Sequence, residues 1–381
     1  MKLPLEGLTV LEFSQYLSGP SAGLRLADLG ARVIKIERPD GGDACRKLSI
    51  KNLWVGDNSL LFHTINRNKE SFTANLKDPA DREVIMQLIR KADVLTHNFR
   101  PGIMDKVGLG YDKVKEINPG IIYGEISGFG KTGPWKDLPG QDLLLQSMSG
   151  LVYTSGNESH APVPFGLAIA DSLCGAQLVQ GILSALIRRH KFGQGALIEI
   201  SLMESVLDFQ FELLTTYHSS GKLPKRSGIS NGHPLLSAPY GIYATTDGYL
   251  ALAMANIPQL ATVIECDALK IFDQEDAFKK RDEIKMICAG HLKDQSSSYW
   301  LQKLHAEGFW AMEVLDWKKL SEHEAYKILE MEQKIDALNG LQLRTTRCPI
   351  RINGQRIYSN KPAPELGQHN SKILEEFIAT N

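Results

Sequence analysis

The sequence predicts an α/β protein built on a parallel sheet wrapped by helices. Strand-like and helix-like runs alternate through roughly the first two hundred residues, as parallel strands joined by helical crossovers require. The clearest helix, over 78–92, opens with Asp78 as N-cap and Pro79 at its first position, and ends on basic residues. Polar loops, "SQYLSGP", "NFRPG" and "SGFGKTGP", each follow a strand-like run. Ligands of such sheets gather at those carboxyl ends.

Taken in order, "TVLEF" (9–13) is a β-branched and aromatic run, followed by "SQYLSGP" and a small-residue helix, "SAGLRLADLG". "ARVIKIE" (31–37) reads as the second strand and "SFTANL" (71–76) as the third. After the 78–92 helix, "DVLTHN" (93–98) and "GIIYGEIS" (120–127) continue the series. A long helix is expected from Leu173 to about Lys191, with the apolar stripe Leu178, Val179, Ile182, Leu183 and Leu186. Gly175, Ala176, Gly181, Ser184 and Ala185 would let a neighbouring element approach it closely. "RRHK" (188–191) suits the dipole at its end, and Gly193 stops it. Beyond about residue 220 the pattern changes: a Gly-, Pro- and Ser-rich stretch holds the hairpin "YATTDGYLALAM", turning at Asp247-Gly248. Residues 258–335 read as mostly helical, and a Pro-rich tail follows.

Composition narrows the function. At 381 residues, two domains are expected. A net charge of −1 lacks the basic excess of a nucleic-acid protein. Five scattered cysteines without a CxxC pair fit reduced cytoplasmic thiols rather than a disulfide framework or zinc site. The N-terminus lacks the apolar region of a signal peptide, and no run approaches about 18 uninterrupted apolar residues, so no membrane partner is expected. Neither HExxH, GxSxG nor a dinucleotide fingerprint occurs. No metal site is expected.

Asp171 stands alone where the apolar "FGLAIA" meets the long helix. It reads as an N-cap. It also reads as a nucleophile, because the dipole and backbone N–H groups keep such a carboxylate ionised while apolar neighbours limit its hydration. Arg38, Lys69, Phe99, Arg100 and Lys106 fall on loops at the same end of the predicted sheet, where they could hold a nucleotide's phosphates and adenine.

"LPLEGLTVLEFSQYLSGPSAGLRLADLGARVIKIERPDGGDACR", "NRNKES", "ADVLTHNFRPG", "INPGIIYGEISGFGKTGP", "GQDLLLQSMSGL", "ADSLCGAQLVQGILSALIRRHKFGQGALIEISL" and "APELGQHN" resemble the family III CoA-transferases, the CaiB/BaiF group of formyl-CoA transferase and carnitine CoA-transferase. The resemblance is strong over 4–215 and in the tail, and weak over 255–335. It implies a large Rossmann-like, CoA-binding domain from 1–215 and 336–381, with a linker and smaller α+β domain over 216–335. It also implies an interlocked homodimer. No cofactor is held permanently, because coenzyme A enters as the acyl-CoA substrate and a small carboxylic acid is the acceptor.

The family's nucleophilic aspartate falls on Asp171, which would form an aspartyl anhydride and then an aspartyl-CoA thioester. The CoA contacts carry over to Leu17, Ser18, Arg38, Ala74, Lys77, Asn98, Phe99, Arg100 and Lys106, and to Pro139–Asp142 with Gln141 and Asp142. Formyl-CoA transferase has glutamine and alanine in place of Leu17 and Ser18, and arginine in place of Lys106. Its glycine run is replaced here by "SGISNGHPLLSAPYG" (227–241), where Gly232, His233 and Pro234 border the acceptor pocket or form a turn. The related α-methylacyl-CoA racemases carry histidine in a "GHD" triplet that reads "GQD" here. Gln141 cannot exchange a proton near neutral pH, so transfer is favoured over racemisation. Another base, Glu199 or Glu204, or an inactive CoA-binding homologue, are the alternatives.

Overall fold

The computed structural model describes residues 2–336 and 342–378. In chain order the elements that build the site are β1 (Thr9–Glu12), α1 (Ser18–Asp28), β2 (Arg32–Glu37), β3 (Glu70–Thr73), α2 (Pro79–Lys91), β4 (Val94–His97), β5 (Ile122–Ser127), α3 (Asp142–Met148), α4 (Ile169–Phe192) and β6 (Ala196–Ser201). The six strands form one sheet in the order β3-β2-β1-β4-β5-β6, and every pairing is parallel. The order reverses between β1 and β4, the point where a doubly wound sheet opens a crevice at its carboxyl edge.

Local chemistry explains the elements. Leu11, Ile34 and Leu95 on the central strands are fully buried, and so are their neighbours Val10, Val33 and Val94 on the opposite face, as in a sheet covered on both sides. Asp78 caps α2 by accepting from the Ala80 N–H at 2.8 Å, with Pro79 next. Leu88, Ile85 and Ile89 of α2 pack on the sheet with Val114 and the carboxyl-terminal Ile373. The tail returns to β3, where Asn370 Oδ1 accepts from the Thr73 N–H at 2.9 Å.

Two strand and helix ends differ from the sequence reading. β3 stops at Thr73, because beyond it the chain turns through Asn75 and Asp78 into α2. α4 begins at Ile169, one turn before Leu173, so Asp171 lies inside its first turn and Ala168 stands at the N-cap with no side-chain cap. The left-handed Gly193 does end α4. By length and composition α4 could cross a membrane, but it is a core helix of the sheet. Leu178 and Ile182 lie over Gly124 of β5, and Gly181 lies against Ile198 of β6. Gly175 faces α1 so closely that a Cβ there would lie 2.7 Å from the Ser18 carbonyl oxygen.

The chain divides into two compact units, one of residues 1–145, 168–209 and 329–381, the other of 146–167 and 210–328. Composition did not mark 146–167 as part of a separate unit. In the second unit, strands Gly241–Ala244 and Tyr249–Leu252 form the expected hairpin, with Ala311–Glu313 alongside. Its core gathers Tyr243, Leu250, Leu252, Cys288, Trp300 and Leu304. All five cysteines are free and buried.

The close approach of α1 and α4 makes Gly175→Ala an overpacking change. Urea unfolding should show a loss of about 1–3 kcal/mol with the m-value unchanged.

Candidate active site

The loop after β1 begins above a buried charge cluster. Lys35 of β2 donates to Glu12 Oε1 at 3.0 Å and to the Ser14 carbonyl at 2.7 Å, and pairs with Asp43 Oδ2 at 2.8 Å. Lys69 donates to Glu12 Oε2 at 2.8 Å and to the Pro20 carbonyl inside α1 at 2.8 Å. Burial pulls both ammonium groups down; Glu12 and Asp43 overcome it at Lys35, which is raised, whereas Lys69 falls to about 8. Isolated buried charges of this kind would be costly, so the pairing fixes β1, β2 and α1 relative to one another.

α4 then brings Asp171 to this edge. Its backbone N–H is one of the helix's unsatisfied first-turn donors, and Asp142 at the start of α3 accepts it at 3.0 Å. Asp142 is buried, 6% exposed. Burial first, and the neighbouring Asp142 carboxylate second, raise Asp171 to about 6, while a side-chain hydrogen bond from Ser18 pulls it down. The sequence reading, in which the helix dipole keeps the carboxylate ionised, is corrected in balance: burial and like charge win over the dipole. Within "FGLAIA" the exposed Phe165 and Leu167, at 44% and 69%, contribute little to that desolvation, whereas Ala170 beside Asp171 is fully buried. At neutral pH Asp171 is mostly ionised, poorly hydrated and more basic than an ordinary aspartate. That is the condition of a carboxylate nucleophile.

Topology gathers most of the other expected residues on loops at the carboxyl edge of the sheet. Leu17 precedes α1, and Ser18 is its first residue. Arg38 follows β2 and donates to the Gly42 carbonyl at 3.3 Å. Ala74 follows β3, buried, its N–H donating to the Glu37 carbonyl at 2.8 Å. Lys77 and Arg100 are exposed cations on the loops after β3 and β4, and Lys106, also exposed, ends the short helix Ile103–Lys106 that follows β4. Phe99 stacks on His97, with centroids 6.0 Å apart. Asn98 does not point outward as a simple ligand contact would: its amide is paired to the Gln15 peptide, Oδ1 accepting at 2.8 Å and Nδ2 donating at 2.7 Å. The exposed Gln141 offers its carbonyl to the N–H groups of Leu144 (2.8 Å) and Leu145 (3.2 Å) at the start of α3.

Gly232, His233 and Pro234 belong to the second unit, and Asp171 to the first. Gly232 borders a cavity of about 460 Å³ with Tyr240, Phe309, Trp310 and Met312. His233 Nε2 lies 3.7 Å from Glu212, and the Pro234 carbonyl accepts from Arg281 at 3.0 Å. The other candidate bases are also engaged: Glu199 pairs with Lys131 at 3.2 Å, and Glu204 accepts from Ser201 at 2.5 Å. Among the described residues no group of three metal-ligating side chains occurs.

Sequence reasoning missed Ser18 as a partner of Asp171, and Asp43 as a brace. Charges at Glu12, Lys35 and Lys69 inside or beside apolar strands were the readable signal, since an ionisable group there must be paired.

Comparison with known proteins fits this geometry. The model of the CoA-transferase family III matches residues 5–370. An acetyl-CoA:oxalate CoA-transferase of Acetobacter aceti is 34% identical over 99% of this chain and 97% of its own. A succinyl-CoA:glutarate CoA-transferase of Homo sapiens is 31% identical over 98% of this chain and 86% of its own. The crystal structure of a CAIB/BAIF family protein from Brucella suis superposes with a TM-score of 0.86 at 30% identity, covering 99% of this chain and 100% of that one. On this breadth of sequence and structural similarity, the chain belongs to the CoA-transferase family III.

Proposed function

We propose that this protein moves CoA from an acyl-CoA donor to a carboxylic acid through covalent intermediates on Asp171. The observation that carries the reading is the placement of that carboxylate: half-buried in the first turn of α4, with its own N–H held by the adjacent Asp142 at 3.0 Å, so that partial burial and the Asp142 charge raise it to about 6. The ionised Asp171 attacks the thioester carbonyl of the donor, and the C–S bond breaks to give a mixed anhydride and CoA thiolate. The thiolate then attacks the aspartyl carbonyl, releasing the donor acid and leaving an aspartyl-CoA thioester. The acceptor carboxylate attacks that thioester, and the freed thiolate takes the acceptor acyl group from the second anhydride. Each covalent step divides one difficult exchange into easier ones. Backbone N–H groups at the start of α1 are proposed as donors to the oxyanions.

CoA is proposed to lie along the carboxyl edge, over Leu17, Ser18 and Ala74, with Phe99, Gln141 and Asp142 beside it. Arg38, Lys77, Arg100 and Lys106 meet its phosphates, and Asn98 belongs to the frame of the same loop. Gly232, His233 and Pro234 are proposed to border the acceptor. Relatives named for oxalate and glutarate point to a small dicarboxylic acid. The unit over which CoA binds is proposed to come from both chain ends, in a homodimer of interlocked protomers. Five buried free thiols are compatible with work in the cytoplasm.

Three outcomes test this reading. Asp171→Asn should lower kcat by about ten-thousand-fold or more. It should also stabilise the fold: the folded carboxyl titrates at about 6 instead of 3.8, so its ionisation opposes folding by about 1–3 kcal/mol above pH 6. Chemical denaturation should show that gain at pH 8 and none below about pH 4, where the carboxyl is protonated folded or unfolded. In the wild type, kcat/KM should fall as pH drops through about 6, the value at which Asp171 takes up a proton. Asp142→Asn removes the like charge, so the same acid limb should move to lower pH; a limb that stays in place would assign it to another group.

A further inference from the structure

Residues 14–16 lie between β1 and α1, outside both, yet four of their backbone polar groups are held by side chains from distant segments. Lys35 Nζ donates to the Ser14 carbonyl at 2.7 Å. The Asn98 amide takes both ends of Gln15, accepting from its N–H at 2.8 Å and donating to its carbonyl at 2.7 Å. Asp43 Oδ1 accepts from the Tyr16 N–H at 3.1 Å. Two of the three clamps are themselves immobilised. Lys35 is fully buried between Glu12 and Asp43, and Asp43 Oδ1 also accepts from the Cys45 N–H at 2.9 Å.

The clamped turn is strained. Tyr16 has φ +63°, left-handed backbone that a residue with a bulky side chain adopts only when its surroundings impose it. Its ring is 54% exposed, so packing of the ring does not impose it. The reversal sets where α1 begins, and α1 begins with Ser18, whose carbonyl lies against Gly175 one turn of α4 beyond Asp171 and whose hydroxyl favours the ionised form of the Asp171 carboxylate. Asn98 Nδ2 also reaches to 3.5 Å from Ser18 Oγ.

We propose that Asn98 and the Asp43–Lys35 pair are positioning residues: they grip the backbone of residues 14–16, hold Tyr16 left-handed, and thereby aim the Ser18 hydroxyl at the nucleophile. The inference rests on the reading of Asp171 as nucleophile. It changes the part of Asn98 from a contact with CoA to a clamp across the crevice between β1 and β4. The chemistry supports the change, since an amide whose oxygen and nitrogen are both paired to one peptide has little left to offer a ligand. Asn98 is half-buried and sits at the end of a strand whose core residues are untouched by its truncation. Asp43 carries a buried charge opposite Lys35, so its replacement endangers folding.

The test compares Asn98→Ala with Ser18→Ala and the wild type in kcat, KM for acyl-CoA and the pH profile of kcat/KM. The clamp predicts a kcat 10- to 100-fold lower in Asn98→Ala, with KM for acyl-CoA within about threefold of wild type. It predicts that the acid limb moves to higher pH in both variants, because both weaken a hydrogen bond to the ionised carboxylate. A KM raised tenfold or more with kcat and the limb unmoved would overturn it and return Asn98 to a CoA contact. Amide hydrogen exchange gives a reading that does not depend on the chemistry. Exchange at Gln15 and Tyr16 should speed at least tenfold in Asn98→Ala, and unchanged exchange overturns the clamp. An Asp171→Asn enzyme that stayed active would refute the catalytic reading alone, leaving the exchange data to decide on Asn98.

Discussion

One carboxylate is subject to opposing fields, and the surrounding structure sets their balance. The first turn of α4 offers Asp171 a favourable dipole, and Ser18 offers a hydrogen bond. Burial and the adjacent Asp142 charge oppose both, and they prevail. The result is an aspartate with the proton affinity of a much stronger base that still ionises near neutrality. Asp142 serves two ends at once: it satisfies the Asp171 N–H and raises the energy of the Asp171 charge. Such a site is destabilising by construction and persists because the fold around it is over-determined.

That over-determination comes from the sheet and from glycine. α1 and α4 approach so closely that a side chain at Gly175 would collide with Ser21 and the Ser18 carbonyl, which keeps Ser18 close to the helix turn that carries Asp171. Gly23 on α1 likewise faces Glu12, so the helix can settle onto the buried Glu12–Lys35–Lys69 cluster. Removing one member of that cluster leaves an uncompensated charge in the core at a cost of about 3–5 kcal/mol, so the cluster holds its geometry firmly. The strand order places the loops after β1 and β4 side by side at the switch point, and the Asn98–Gln15 amide pair joins them there. Packing, buried charge and loop conformation thus converge on the position of one hydroxyl and one carboxylate.

Much of this was legible in the sequence. Alternating patterns announced the parallel sheet, Asp78-Pro79 announced α2, and Asp247-Gly248 announced the hairpin of the second unit. The small residues of the long helix foretold its close packing on α1 and β6. The start of α4 was not legible, because Ala168 caps it without a side-chain signal and the expected cap, Asp171, has its N–H taken by a residue 29 positions earlier. The direction in which Asp171 shifts was equally hidden. A dipole can be read from position, whereas burial by α1 and proximity to Asp142 depend on tertiary contacts. Asn98 shows the same limit: its motif marks the loop, but only the geometry shows that the amide faces Gln15.

The account turns on whether an oxygen of Asp171 becomes the bridging atom of an anhydride. In the proposed sequence the donor acid leaves with an aspartyl oxygen, and the acceptor replaces it with one of its own. A single turnover with an acceptor acid labelled with oxygen-18 in its carboxylates, followed by digestion and mass spectrometry, tests this directly. The account predicts a gain of about 2 mass units on the peptide carrying Asp171. Formation of the acceptor's CoA thioester with no label on that peptide would contradict it.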